Sequence, residues 1–149
     1  MIPSTIARAV PADADDITAL IRSSGAYRGP YAPMTAGYLV TPEYIARHQV
    51  FKAVDPDGRL LGFYSLLVEE AELDLAFVAD EAQGTGIGRR LMEHMKERAA
   101  RAGLSAVRVV SHPPSEDFYR RVGAERVGTV APVLPKITWE RPELRFTIA

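Results

Sequence analysis

Three glycines at alternate positions, Gly84, Gly86 and Gly88, stand between an apolar run, "ELDLAFV", and a helical pattern opened by Arg89 and Arg90. Amides at a helix N-terminus are donors without intrahelical partners, backed by the favourable end of the helix dipole, and bare backbone lets a diphosphate reach them. Two cations in a first turn oppose that dipole unless an anion sits between. The stretch therefore reads as an anion site; its other use is a tight turn that lets a helix pack closely on a strand. Two phosphate motifs do not fit. G-x-G-x-x-G requires glycine where Arg89 stands, and a P-loop requires Gly-Lys-Ser/Thr. On the preceding run, Glu72 and Asp74 alternate onto one strand face, shared with Val78 unless a bulge intervenes. They are either proton acceptors beside the turn or the solvated end of "EEAE".

The elements that must hold these groups follow from periodicity and punctuation. Thr5 to Val10 reads as a strand. "PADADDITALIRSSG", acidic in its first turn and with Ile17, Leu20 and Ile21 at helical spacing, reads as a helix closed by Gly25. Residues 26–40 carry no period and predict loop or broken helix. "TPEYIARH" predicts a short helix, with Thr41 as N-cap and Pro42 at the first helical position. "VFKAV" and "RLLGFYSLLV" flank the turn sequence "DPDG" and predict a hairpin. A third strand follows, with Leu73, Leu75 and Phe77 alternating against Glu72, Asp74, Ala76 and Val78. Ile87, Leu91, Met95, Ala99 and Ala102 share one face of a long helix that Gly103 ends. "SAVRVV" predicts a strand, "PPSEDFYRRVG" a shorter helix, and "ERVGTV" and "ELRFTIA" closing strands separated by the proline-bearing "APVLPKITWERP".

Composition narrows the function classes. A chain of 149 residues fits one domain, taken as residues 1–149. Its 18 basic and 19 acidic residues leave a net charge of −1, which provides no field for a nucleic-acid backbone. With no cysteine there is no disulfide, thiolate metal site or cysteine-bound intermediate. "MIPSTIARAV" lacks a basic segment followed by an apolar core, and no run suits a membrane span, so a soluble, cytoplasmic protein is expected.

The run Gln83-Gly84-Thr85-Gly86-Ile87-Gly88 also matches Q-x-x-G-x-G. In this element order, with "DFYRRVGAERVG" downstream, the chain resembles the GCN5-related N-acetyltransferase (GNAT) superfamily over nearly its whole length, in its "FYRxxGAxxxG" form. The resemblance implies an α/β fold whose mixed, mostly antiparallel sheet of about seven strands is flanked by helices and splayed at two parallel central strands. It places the pyrophosphate of acetyl-coenzyme A on the amides of Gln83, Gly84, Thr85, Gly86, Ile87, Gly88 and Arg89, with no metal. The pantetheine arm would run along the backbone of Phe77, Val78 and Ala79 as an added strand, and an N–H near Phe77 or Val78 would polarise the thioester carbonyl. Tyr119 falls where many members protonate the departing thiolate; a phenol near pKa 10 suits a thiol near 8.5. Phe118 beside it takes a packing role among the cofactor contacts. Asp74 and Glu72 are the candidate bases for an amine, which attacks only after losing a proton.

The implied acceptor is a small-molecule or peptide amine attacking directly in a ternary complex. Its pocket would draw on Tyr27, Tyr31 and Met34, unless these merely cover the sheet edge, and Glu69, Glu70, Glu72 and Asp74 would suit a cation. His48 and His112, of the residue type that can change charge near neutrality, receive no role. One departure matters: many members carry an asparagine before the last cofactor helix, whereas this chain reads "SHPPSEDFY". A side-chain contact is thereby lost, which keeps a non-catalytic acyl-coenzyme A sensor as a rival. Leu134, Ile137 and Trp139 either form a homodimer contact or close the core.

Overall fold

The computed structural model describes residues 3–25, 31–32, 35 and 37–148, so Tyr27 and Met34 lie outside the described residues. Polar turns set off each apolar run, and the runs pair into a single seven-stranded sheet. The chain runs β1 (Thr5–Arg8), α1 (Ala14–Ser23), α2 (Pro42–Arg47), β2 (Gln49–Val54), β3 (Leu60–Leu67), β4 (Glu72–Val78), α3 (Ile87–Arg101), β5 (Ala106–Val110), α4 (Glu116–Arg121), β6 (Glu125–Val130) and β7 (Arg141–Thr147). The strand order is β1-β2-β3-β4-β5-β7-β6, antiparallel throughout except between β4 and β5. This is the mixed, mostly antiparallel sheet that the resemblance implies.

Apolar side chains cover both faces. On one, α3 lays Ile87, Leu91, Met92, Met95 and Ala99 against Leu66, Leu73, Val109, Leu144 and Phe146. On the other, Ile17 and Ile21 of α1 and Ile45 of α2 pack on Val50, Phe63 and Phe77. Gly62 permits the close seating of α3, because a Cβ there would come 3.1 Å from Leu91 Cδ1 and 2.8 Å from the Phe77 carbonyl oxygen. Thr41 caps α2 as expected, accepting from the Tyr44 amide at 3.1 Å. The loop between α1 and α2 returns to α1 through Thr18, whose Oγ1 accepts from Val40 N at 3.0 Å. Among the described residues no helix is long and apolar enough to cross a membrane.

Two features differ from the sequence pattern. Helix α1 ends at Ser23, and the Gly25 amide instead donates to the Asp80 carboxylate at 2.9 Å, tying the end of α1 to the chain after β4. The second difference is a bulge in β4. Ser65 pairs with Leu75 and Leu66 with Leu73, so Asp74 is the extra residue. Strand parity inverts there. Leu73 packs toward α3, whereas Leu75 and Phe77 pack toward α1 and α2, and Ala76 and Val78 take the α3 side. The simple alternation of Leu73, Leu75 and Phe77 onto one face is corrected accordingly, and Val78 lies on the opposite face from Asp74.

The packing of α3 carries a pH signature. His94 Nδ1 lies 2.7 Å from the hydroxyl of buried Tyr64, and burial, followed by the charge of Arg98, lowers its pKa below the ordinary 6.5. The unfolded chain therefore binds a proton more readily than the folded one, and stability falls as pH drops through 6.5. Melting temperatures recorded over roughly pH 5 to 8 should show this decline, and His94→Gln should flatten it.

Candidate active site

The parallel pair is short. Only Glu72–Arg108 and Leu73–Val109 are in register between β4 and β5, after which the strands part. A cleft of about 700 Å³ opens in the gap, bordered by β4, the glycine turn, the end of β5 and α4. The edge of β4 facing it is backbone without a strand partner. Ala79 N donates to Leu61 O at 2.8 Å and Leu75 N to Ser65 Oγ at 3.1 Å, both toward β3. Alternation then turns the amides of Ala76 and Val78 into the gap. Of Phe77, Val78 and Ala79, Val78 is the one presenting its backbone to the cleft. Ala76 joins it, a residue that sequence reasoning missed because the bulge is not visible in the pattern.

At the glycine turn, Gly84 and Gly86 have φ of +76° and +90°, and a Cβ on either would meet nothing within 4 Å. Here glycine serves conformation and leaves open space. Gly88 serves packing: a Cβ would lie 3.0 Å from Phe118 Cε1. The packing use expected for the stretch is met at Gly88, while Gly84 and Gly86 supply left-handed backbone beside open space. Gly86 is the N-cap of α3 and no side chain caps that end, which leaves the first amides of the helix to an external acceptor. Gln83 closes the near side, its Nε2 donating to Val78 O at 3.3 Å. The Thr85 hydroxyl donates to Ala82 O, and Ile87 is buried beneath the turn. Arg89 borders the cleft, with Nη2 3.3 Å from Arg121 O, while Arg90 turns away to Ser4 O at 3.1 Å.

The two carboxylates share a sheet face but differ in surroundings. Glu72 is 3.2 Å from Arg108 Nη1, and Arg108 Nε reaches Glu143 at 2.8 Å, a brace across β4, β5 and β7. Burial raises the Glu72 pKa, with Arg108 opposing. Asp74, carried outward by the bulge, accepts a 2.5 Å hydrogen bond from Tyr44 Oη, and Tyr44 Oη lies 2.7 Å from Ser65 Oγ. Burial and then the Asp74 hydrogen bond push the Tyr44 phenol well above its ordinary range, so it stays protonated and donates. Asp74 Oδ1 has no hydrogen-bond partner among the described residues. Nothing in the spacing of "TPEYIARH" marks Tyr44 as part of the site; only the return of α2 over β3 brings it there.

Tyr119 is buried in α4 and borders the cleft, its ring 5.3 Å from Phe118. Tyr31 stands edge-on to Trp139 at 4.9 Å and to His112, which lines the gap, at 5.6 Å. Thr35 and Tyr38 line it from the same loop. Of the tail residues, Ile137 and Trp139 are half-buried within the chain, and Leu134 is exposed.

Known proteins resemble this chain in sequence and in fold. The family described as "Acetyltransferase (GNAT) domain" matches residues 40–131. An IAA acetyltransferase of Azospirillum brasilense is 29% identical over 139 residues, covering 88% of this chain and 90% of that one. A solved GCN5-related N-acetyltransferase from Rhodopseudomonas palustris superposes with a TM-score of 0.79 at 15% identity, over 99% of this chain and 97% of the other. A phosphinothricin acetyltransferase from Sinorhizobium meliloti, solved with AcCoA, gives 0.73 at 20% identity over 99% and 90%.

Proposed function

This chain belongs to the GNAT acetyltransferase family, and on that premise we propose that it transfers an acetyl group from acetyl-coenzyme A to a primary amine of a small molecule or peptide, directly within a ternary complex. The observation that carries the reading is the junction of two backbone features in one cleft: the open glycine turn, and the β4 edge at Ala76 and Val78, which has no neighbouring strand there. Acetyl-coenzyme A has matching parts, a diphosphate for the first and an amide-bearing arm for the second, and supplies a thioester-activated acetyl group when bound. Gly84, Thr85, Gly86, Ile87, Gly88 and Arg89 hold the diphosphate through their amides, with Gln83 beside them, and the Arg89 guanidinium adds charge. The Val78 edge orients the arm, and Phe118, wedged against Gly88, fixes the distance between turn and strand.

Two groups move protons. Asp74 is the proton acceptor at Oδ1, because Tyr44 occupies the other oxygen and holds the carboxylate toward the cleft. Glu72, bound to Arg108, braces the strands rather than accepting the proton. Tyr119 is the proton donor on the α4 side. The absence of cysteine agrees with direct attack.

Thiol release from acetyl-coenzyme A, followed over a panel of amines, tests the proposal. The expected result is amine-dependent release, with Tyr119→Phe lowering kcat about 100-fold and leaving coenzyme A affinity unchanged. Tight cofactor binding without turnover for any amine would instead support an acyl-coenzyme A sensor.

A further inference from the structure

The wall of the cleft at β7 holds a cation with a buried N–H that finds no acceptor among the described residues. Arg141 lines the gap, and its Nε is buried without a hydrogen-bond partner. The contrast with Arg108 is direct, since that guanidinium on the neighbouring strand is engaged by Glu72 and Glu143. Strand β7 has unbroken parity from Arg141 to Arg145. Leu144 packs toward α3, so Arg141 and Glu143 stand on the other face, the one that carries Glu72 and Asp74. Arg141 therefore belongs to the acceptor side of the sheet, across it from the glycine turn and Phe118.

A second donor in the same segment is in the same condition. Trp139 Nε1 is buried without a partner among the described residues, and its ring is held by Tyr31. Arginine and tryptophan side chains only donate. A buried donor left unmade forfeits the hydrogen bond it had with water, and folded proteins rarely leave one so without a reason. The missing counterpart is an acceptor, and for a guanidinium the group of matching shape and charge is a carboxylate.

Resting on the amine-acetylation reading above, we infer that the acceptor is an amino acid or related amine bearing a carboxylate, with Arg141 as the residue that selects it. The ammonium end meets Asp74 and the carboxylate end meets Arg141. The attraction of Glu69, Glu70, Glu72 and Asp74 for a cation, read from the sequence, then describes one end of the acceptor. Glu72 is already paired with Arg108, and of the four only Glu72 and Asp74 line the cleft.

The test compares an amino acid, its carboxamide and its decarboxylated amine as acceptors, using wild type, Arg141→Gln and Arg141→Lys. Wild type should favour the amino acid in kcat/KM by at least about tenfold, the scale of one charge-assisted hydrogen bond. Arg141→Gln should abolish that preference by raising the acceptor KM, with the KM for acetyl-coenzyme A unchanged, and Arg141→Lys should restore part of it. Equal use of all three acceptors by wild type, a uniform loss for all three in Arg141→Gln, or a raised KM for acetyl-coenzyme A would overturn the inference. Calorimetric binding of the amino acids to the coenzyme A complex reads Arg141 without turnover. Carboxylate-dependent binding that Arg141→Gln removes, in a protein that acetylates nothing, would sustain the carboxylate site while the enzyme reading fails.

Discussion

Gly86→Val should raise the dissociation constant for coenzyme A about 30-fold, equivalent to about 2 kcal/mol, with a much smaller change in melting temperature. The side chain itself would meet open space, so no clash explains the loss. The cost is conformational: at φ +90° a β-branched residue is strained by about 1–2 kcal/mol or more, and the turn relaxes to another shape. Relaxation re-aims the amides that hold the diphosphate, so binding carries the penalty. Gly88→Ala should behave in the opposite way. Its Cβ would lie 3.0 Å from Phe118 Cε1, and overpacking of this kind costs about 1–3 kcal/mol of stability. Phe118→Leu in the same chain should recover most of that stability, whereas it should do nothing for Gly86→Val. Calorimetry and thermal melts of the four proteins separate the two uses of glycine.

Asp74→Asn should lower kcat/KM for the amine by about 100- to 1,000-fold while leaving coenzyme A affinity intact. An amide at this position keeps the shape and cannot take the proton. Tyr44→Phe should show a partial loss, roughly tenfold, because the carboxylate remains but the 2.5 Å hydrogen bond that aims it is gone. Glu72→Gln should alter the rate less than either and lower the melting temperature, since it weakens the Arg108 brace where β4 and β5 still pair. Steady-state kinetics at saturating acetyl-coenzyme A would reverse the assignment if Glu72→Gln abolished turnover and Asp74→Asn did not.

The glycine turn, the long α3 and the strand sequence were legible because each is a local signal: left-handed backbone needs glycine, and amphipathic period and capping depend on near neighbours. The same locality explains what was not legible. The bulge at Asp74 follows from how β3 meets β4, with the Ser65 hydroxyl receiving the Leu75 amide, and no pattern within "ELDLAFV" announces it. Its consequences propagate, moving Val78 to the other face and making Ala76 a gap-facing residue. Tyr44 and Arg141 come from α2 and β7, distant in sequence from the turn, and only the folded sheet places them on one cleft. The role proposed for Tyr119 rests on the family pattern alone; its burial beside Phe118 and Phe146 follows from ordinary core packing.

The central claim is that main-chain amides of the glycine turn and the free β4 edge receive coenzyme A. Amide resonances followed by NMR during a coenzyme A titration test it most directly. Gly84, Thr85, Gly86, Ile87, Gly88, Ala76 and Val78 should shift strongly, while Leu75 and Ala79, already engaged toward β3, should move little. Saturable binding that left the turn amides unmoved and shifted another region would contradict the account.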